Sequence, residues 1–440
     1  MSPEYLSIII LLLAVIAILI GIPVAFALGG IPILFALVIY PEAFLGQLVM
    51  LTFGMMTDYV FIAVPLFIFM GAILERSGMA DKLYQSFYHL FGRLNGGLAI
   101  ATVSLATLFG ACQGVVGAGV ITVGLIALPA MLSRGYSKQL ATGSICVGGG
   151  LGVIIPPSVM LILYGSVAGV SIADLFVAGV FPGLLLSGLY ITYIIGRCYL
   201  QPMLGPAISK EEKESITRRQ LIRMTLTSLV PPLFLILIVL GSIFFGVVAP
   251  SEAAAMGSLG GLAVTAAAHK LTWKAIKDSL LITLRISSMV LFIALGGKFF
   301  MVVVLSLGAG ELVEKLILGL HLGATGSIII ILFLIFILGC FTDWVGLIFI
   351  IVPIVSPVIG KLNVDPLWFA MLFCVTLQIS NMTPPFAYSA FYLKGISPPE
   401  VTIGDIYLGG IPFIYLQVLA VVLLIMFPQI ILYLPSLMAR

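Results

Sequence analysis

The sequence predicts an all-α polytopic membrane protein with two inverted repeats, each containing a re-entrant helical hairpin and a transmembrane helix broken by glycine and proline. Composition is the first observation behind this prediction: of 440 residues, 62% are hydrophobic and 8% are charged, whereas soluble domains carry about 25% charged residues. Apolar runs of about 20 residues, the length that crosses a bilayer, recur along the chain. Finally, Gly/Pro-rich breaks recur inside these runs.

The N-terminal segment 1–58 is predicted to contribute helices of a membrane scaffold. Its apolar stretch 5–39 is interrupted at Gly21-Ile22-Pro23, and because proline ends or kinks a helix, two helices are expected there. The first has no basic region before it and no clear small-residue cleavage site after it. We therefore predict a membrane segment rather than a removed signal peptide.

Cysteine and histidine usage argues against a metal centre or an enzyme. The five cysteines form no CxxC pair or Cys/His cluster, so metal and disulfide roles are disfavoured. The apolar segments contain no Ser/His/Asp set and no HExxH motif, which disfavours an intramembrane protease. We therefore predict a protein that is not an enzyme, needs no cofactor and binds no nucleic acid.

The segment GGGLGVIIPPS, residues 148–158, breaks the predicted helix 138–169 in its middle. Non-helical backbone at membrane depth is tolerated only where it is enclosed by protein or lines a cavity. Glycines let backbone groups approach a ligand closely, and prolines remove a donor and so free a carbonyl one turn back. The break therefore predicts a binding site.

The same pattern recurs in the second half of the chain, which indicates an internal repeat. Chance similarity between apolar sequences is the alternative, but several matches in the same order at nearly one offset favour a repeat. Paired broken segments in two halves are typical of a transporter binding site. The matching pairs are Cys112 with Cys340, Cys146 with Cys374, Pro156-Pro157 with Pro384-Pro385, and Pro182 with Pro412.

Basic residues orient the repeats, because Lys and Arg are enriched on the cytoplasmic side. Two basic clusters, 197–223 and 270–285, flank an apolar helical hairpin and therefore share one face, the cytoplasmic one. Tracing the chain from them predicts a re-entrant hairpin at 96–133 that opens to the cytoplasm. A second hairpin at 324–360 opens outward, so the two repeats are inverted.

These predictions divide the chain into four parts whose hairpin tips and breaks are expected to form one site near the membrane midplane. Freed carbonyls suit Na⁺, and helix N-termini suit a carboxylate. The parts are scaffold helices 1–58; a first repeat 59–200 with hairpin 96–133 and broken helix 138–169; a cytoplasmic linker with a scaffold helix hairpin, 201–285; and a second repeat 286–440 with hairpin 324–360 and broken helix 366–393.

The residues of these hairpins and breaks resemble the large membrane (M) subunit of TRAP (tripartite ATP-independent periplasmic) transporters. In the first half the resemblance is carried by LFGACQGVVGAG, then RGY, then the pattern GxLGxxIPPS. In the second half it is carried by LGCFTDWVGL and ISNMTPPFAYSAFY. It covers nearly the whole chain.

The resemblance implies a sodium-driven, elevator-type transporter of the ion-transporter superfamily that imports an organic acid. It also implies a small four-helix membrane (Q) subunit and a periplasmic substrate-binding (P) protein as partners, in the inner membrane of a bacterium or archaeon. The form GVVGA at the first hairpin is more similar to branches that handle 2-oxo acids or lactate than to sialic-acid members. The alternative is a stand-alone carboxylate permease or ion antiporter of the same superfamily, which would need no binding protein.

The resemblance also indicates residues of the site. Family members often carry an SGSS-like first tip, and the matching positions here, 113–116, have no hydroxyl, so sodium coordination there would rest on backbone carbonyls or Gln113. The predicted sodium- and substrate-binding residues come from both tips and both breaks: Gln113, Gly114, Val116, Gly149, Gly150, Gly152, Pro156, Ser158, Asp343, Gly346, Gln378, Asn381, Thr383 and Pro384.

Several of these residues also have a structural interpretation. Asp343 can serve an ion or cap the second arm of its hairpin. Polar residues before Pro384 can bind Na⁺ or repair the broken helix, and the glycines of 148–152 can line the site or pack helices closely. Lys298 can be a counter-charge for a carboxylate or for Asp58, but we favour an interfacial position or a contact with the partner subunit.

Two further pairs of features are expected to be structural. Asp174 and Asp405 are predicted to be helix N-caps. The segments 80–94 and 310–322 have amphipathic helical spacing and are predicted to be interfacial helices.

Overall fold

The computed structural model describes residues 3–39, 41–208 and 217–438, without the side chains of residues 3, 4, 41–43, 45, 111–113 and 218. Within these residues all regular secondary structure is helical, which confirms the predicted all-α class. Six helical stretches are long and apolar enough to cross a membrane, by length and composition: Tyr59–Arg76, Ile172–Leu200, Arg219–Phe244, Trp273–Ser306, Trp344–Lys361 and Ile403–Met426.

Three helices open the chain: α1 (Pro3–Leu19), α2 (Val24–Ile39) and α3 (Pro41–Met56). The chain turns between α1 and α2 at Gly21, whose φ of +100° is a conformation that glycine adopts without steric cost. α2 packs against both α1 and α3.

The segment predicted to be the first repeat has α4 (Ala63–Arg76) after a short 3₁₀ turn. Gly78, with φ of +68°, redirects the chain into the next helix. The hairpin consists of α6 and α7, and the broken helix consists of α8 and α9. The remaining helices of this half are α5 (Met79–Phe91), α6 (Gly97–Gln113), α7 (Val116–Leu132), α8 (Lys138–Leu151), α9 (Val159–Ala168) and α10 (Ile172–Leu200).

A pair of helices, α11 (Arg218–Phe244) and α12 (Pro250–Ala267), lies between the two halves of the chain. α12 packs closely on α4. The Ser258 hydroxyl donates to the carbonyl of Leu66 at 2.8 Å, and the Thr265 hydroxyl donates to the carbonyl of Ile73 at 3.1 Å. These bonds between helices tie α4 and α12 into one unit.

The second half of the chain has the same order of elements as the first, and its first helix begins at Trp273, before the predicted repeat start at residue 286. Its hairpin consists of α15 and α16, and its broken helix consists of α17 and α18. Gly308, the counterpart of Gly78, also has positive φ (+84°) and also precedes a short helix. The helices are α13 (Trp273–Ser306), α14 (Ala309–Gly319), α15 (Gly323–Gly339), α16 (Trp344–Lys361), α17 (Pro366–Met382), α18 (Tyr388–Ile396), α19 (Ile403–Met426) and α20 (Gln429–Ser436).

Equivalent elements of the two halves make reciprocal contacts. The second hairpin arm α7 packs on α18, and its counterpart α16 packs on α9. Likewise α8 packs on α19, and α17 packs on α10. Reciprocal packing of this kind is what a pseudo-two-fold relation between two halves produces. The opposite orientation of the halves in the membrane stays a prediction.

The prediction that Asp174 and Asp405 are N-caps is wrong by one helical turn. Ser171 and Thr402 are the N-caps of α10 and α19, and their hydroxyls accept hydrogen bonds from the backbone N–H groups of the two aspartates, each at 3.2 Å. Asp405 in turn accepts a bond from the Thr402 N–H at 2.9 Å. The hydroxyl caps the helix because it precedes the first turn, and at Thr402 the acid of that turn completes a capping box.

The two predicted amphipathic segments are helical, as α5 and α14. Each presents buried side chains on one face: Leu83 and Phe87 of α5 are buried, as is Ile317 of α14. Their position at a membrane interface stays a prediction.

Candidate functional site

Both hairpin tips and the second broken helix meet around a small cavity of about 40 Å³. This volume has room for a few water-sized particles, which is the scale of a partly hydrated monovalent cation. The cavity is lined by Val115, Val116 and Gly117 of the first tip, Asp343, Trp344 and Val345 of the second tip, Asn381 of α17, Tyr388 and Tyr392 of α18, and Met289 and Val290 of α13. The structure therefore brings together three of the predicted residues, Val116, Asp343 and Asn381.

Asp343 is the one charged residue among those that line this cavity. It is the N-cap of α16, and its Oδ2 accepts a hydrogen bond from the Val345 N–H at 3.3 Å. The capping role is thus confirmed, and a role with an ion stays a prediction. A carboxylate has about four acceptor sites, so capping leaves capacity for a further partner.

The first tip has no equivalent charge. Val115, the counterpart of Asp343 in the first half, is the N-cap of α7 and has no side-chain cap. Gly114 has φ of +62°, and a Cβ added to it would lie 3.3 Å from the backbone N of Val159, so this tip lies against the start of α9. The side chain of Gln113 lies outside the described residues. Among the described residues that this tip contributes to the cavity, only the backbone offers polar groups.

The first break is completely buried, from Leu151 to Met160. The Ser158 hydroxyl donates to the Val153 carbonyl and so satisfies a backbone group that the break frees. A Cβ on Gly149 would overlap Val120, and one on Gly152 would lie 2.7 Å from the Cα of Gly110. These two glycines allow α8 to pack on both hairpin arms and do not line the cavity, and Pro156 does not line it either.

The second break is more open, since Pro384 and Pro385 are exposed. Thr383 donates to the carbonyl of Ile379 at 2.8 Å, one turn back in the helix that ends there. The backbone N–H of Phe386 donates to the carbonyl of Cys340 at 3.3 Å, which ties this break to the second hairpin tip.

Two more predicted residues lie at contacts between elements. Gln378 is buried where α17 crosses α8, and a Cβ on Gly150 would overlap its Oε1. Gly346 faces α2, because a Cβ there would lie 2.9 Å from Val24 and 3.5 Å from Leu28. Neither residue lines the cavity.

The sequence analysis missed the three aromatic residues of the site, Trp344, Tyr388 and Tyr392. Two of them, Tyr388 and Tyr392, belong to α18. The ring of Tyr392 lies on Gly117, where an added Cβ would come within 2.9 Å of its Cζ. Their i, i+4 spacing places both on one face of α18. Two tyrosines at i, i+4 spacing directly after Pro384-Pro385 are the sequence feature that could have predicted their place in the site.

Lys298 lies away from the cavity. Its Nζ is 5.0 Å from the centroid of the Phe61 ring, within the range of a cation–π interaction. Asp58 accepts a hydrogen bond from the Val60 N–H at 3.0 Å and caps the 3₁₀ turn before α4. Lys298 thus contacts the 3₁₀ turn before α4 rather than the hairpin tips.

Comparison with known proteins identifies the family. Residues 9–430 match the family model described as the tripartite ATP-independent periplasmic transporter, DctM component. The chain belongs to this family. It is therefore a multi-pass membrane protein and a transporter component rather than an enzyme.

Several relatives of this DctM-family chain match over most of their length. The C4-dicarboxylate TRAP transporter large permease protein DctM of Vibrio cholerae is 27% identical, with 96% of this chain and 95% of the relative covered. The ectoine TRAP transporter large permease protein TeaC of Halomonas elongata is 30% identical, with 86% of this chain and 87% of the relative covered. A putative TRAP transporter large permease protein of Haemophilus influenzae is 28% identical, with 88% of this chain and 94% of the relative covered.

The fold is also similar to a solved structure. The YdaH transporter of Alcanivorax borkumensis superposes with a TM-score of 0.58 over 88% of each chain, at 16% identity. At this identity the likeness concerns the fold alone.

Proposed function

We propose that this chain imports an organic acid delivered by a periplasmic substrate-binding protein, in a sodium-coupled elevator cycle, together with a small four-helix membrane subunit in the inner membrane. Family membership supports the tripartite organisation. The observation that carries the proposal is the cavity in which both hairpin tips, Asn381 and Asp343 meet. Sites formed by broken helices and helix ends are where secondary transporters bind substrates and coupling ions.

The chemistry of the cavity suits a monovalent cation. Asp343 offers a carboxylate, Asn381 offers an amide oxygen, and the tip at 115–117 offers backbone groups. Freed backbone carbonyls together with oxygen side chains are typical sodium ligands in such folds. A volume of about 40 Å³ fits an ion with little water and is too small for an organic acid.

The charge of Asp343 gives the cation a role in coupling. The site offers no cation among the residues that line it, so an incoming carboxylate would be repelled by Asp343. Two like charges close together in a site of low dielectric are costly. A bound cation removes this cost, and we infer that cation binding precedes binding of the acid.

The asymmetry of the two breaks supports alternating access. The first break is buried and the second is exposed at Pro384 and Pro385, although the halves pack reciprocally. If the halves exchange these two environments, the site opens to the opposite side. Rocking or sliding of one unit against a scaffold is how repeat-built transporters achieve this.

Uptake into proteoliposomes tests the proposal. Vesicles would contain this chain with its four-helix partner and would receive labelled C4-dicarboxylates, 2-oxo acids or lactate, with or without the binding protein, under an inward Na⁺ gradient or in K⁺ alone. We expect uptake only when Na⁺ and the binding protein are both present. Uptake driven by Na⁺ without any binding protein would instead show a stand-alone permease, and uptake in K⁺ alone would refute sodium coupling.

A further inference from the structure

Aromatic side chains share the candidate site with Asp343. Trp344, Tyr388 and Tyr392 all line the cavity. The ring of Tyr388 also stacks on the ring of Phe386, with centroids 5.7 Å apart and an angle of 25° between the two planes. The faces of aromatic rings attract cations, a property that proteins use to recognise quaternary ammonium ligands. The site therefore combines one carboxylate with several rings that favour positive charge.

Basic side chains do not balance this character among the described residues that line the cavity. Lys394 lies two residues after Tyr392, and residues two apart do not share a helix face. Its Nζ donates to the Val401 carbonyl at 2.7 Å, and Lys298 lies over the ring of Phe61. A group that is only negative thus meets no cationic residue at this cavity, and a positive group meets none that would repel it.

The aromatic side chains continue from the cavity to a surface that the chain leaves uncovered. Tyr392 is 42% exposed, and Pro384 and Pro385, which precede Phe386, are exposed as well. The cavity itself, of about 40 Å³, has room for a small ion but not for an organic acid. The open second break beside it is therefore where a larger molecule can reach both the cavity and the rings.

We propose that the substrate is a zwitterionic acid, which carries a carboxylate and a cationic nitrogen in one small molecule. This inference rests on the proposed function, because the carboxylate would meet the Na⁺ bound at Asp343. The cationic nitrogen lies against the rings of Tyr388 and Tyr392, where a cation–π interaction stabilises it. Each charge of the substrate then faces a group that attracts it, whereas an acid without the nitrogen gains nothing from the rings.

Two probes of nearly the same shape test this substrate class. Glycine betaine carries a trimethylammonium group next to its carboxylate, and tert-butylacetate has carbon in place of the nitrogen. Melting of this chain in complex with its four-helix partner is measured at saturating Na⁺ over a range of concentrations of each probe. The binding protein is left out, so that its own selectivity does not contribute. We expect betaine to reach half of its stabilising effect at a concentration about tenfold lower than tert-butylacetate does.

Substitutions at Tyr388 show whether the rings cause this preference. Tyr388→Leu removes a ring and should reduce the preference to roughly threefold or less, whereas Tyr388→Phe keeps the ring and should retain it. Tyr415→Leu, at a position 69% exposed on α19, is the matched control and should also retain it. The preference is a ratio of two probes on one protein, so a general loss of stability does not imitate the effect. Tyr392→Leu is the second variant if Tyr388→Leu does not fold.

The outcomes distinguish this inference from the proposed function. Preference for betaine without any dependence on Na⁺ would support the substrate class and contradict sodium coupling. Stabilisation by Na⁺ with equal binding of the two probes, or with no binding of betaine, would leave the cation site standing and overturn the substrate class. An undiminished preference in both Tyr388→Leu and Tyr392→Leu would also overturn it, because the rings would then not hold the nitrogen.

Discussion

Gly150 and Gln378 hold equivalent positions in the two halves, and they contact each other where α8 and α17 cross. Contact between two such counterparts is what the predicted repeat requires at the axis that would relate its halves. The helices that break a few residues later, at Gly152 and Thr383, therefore diverge from a common crossing point. This crossing places both breaks beside the hairpin tips.

Gly150→Ala tests this crossing. A Cβ there would overlap Oε1 of Gln378, and overpacking of a tight interior costs about 1–3 kcal/mol. We expect a lower melting temperature and slower uptake. Gly188→Ala in α10 is the matched control, since a Cβ there meets nothing within 4 Å. Equal melting temperatures for the two variants would show that α8 and α17 are not in close contact.

Gln378→Leu separates stability from transport. The Nε2 of Gln378 is buried and has no hydrogen-bond partner among the described residues, and a buried unsatisfied donor costs about 1–3 kcal/mol. We therefore expect Gln378→Leu to melt no lower than the wild type, yet to transport more slowly if the amide meets substrate or its water during the cycle. Thermal melting and uptake are measured on the same preparation. A destabilised variant would mean that the amide is satisfied in the protein, and unchanged uptake would show that the amide has no role in the transport cycle.

Tyr392 is expected to shape the site through its ring. Tyr392→Leu removes the ring that lies on Gly117, and loss of such aromatic packing should raise the Na⁺ concentration for half-maximal uptake by up to about tenfold. Tyr392→Phe keeps the ring and should preserve most of the affinity. Tyr415→Leu, at a position 69% exposed on α19, is the control. An effect of equal size in the control would contradict a specific role for Tyr392.

The hairpins and breaks could be predicted because their signals are local. Glycine and proline clusters interrupt apolar runs at GGGLGVIIPPS and again before Pro384-Pro385, and backbone breaks follow directly from the missing donor and the permitted φ values. The observed ends of α8 at Leu151 and of α17 at Met382 fall at these signals. The N-caps at Ser171 and Thr402 could also have been predicted from the sequence. The prediction instead assigned the capping role to Asp174 and Asp405, which lie three residues later.

The contents of the site could be predicted only in part, because its contacts join distant segments. Gly149, Gly152 and Gly346 looked like lining residues, yet each faces a neighbouring element, and no sequence spacing shows which helix will approach. Tyr392 reaches Gly117 from the other half of the chain. Glu75 is likewise distant in the sequence from the first hairpin, and only packing brings it beside Val115 and Ala118.

Sodium binding at Asp343 is the central claim, and Na⁺-dependent melting of the purified chain tests it most directly. A ligand that binds only the folded state raises stability by about 2.7 kcal/mol at one hundred times its Kd. Asp343→Asn keeps a capping side chain but removes the charge, and the matched control is Asp365→Asn at the N-cap of α17, where Asp365 accepts from Leu367 and Trp368 at 2.8 and 3.1 Å. We predict that Na⁺, but not K⁺, raises the melting temperature of the wild type and of Asp365→Asn, and that Asp343→Asn loses most of this shift. An undiminished sodium shift in Asp343→Asn would show that Asp343 only caps its helix and that the cation binds elsewhere.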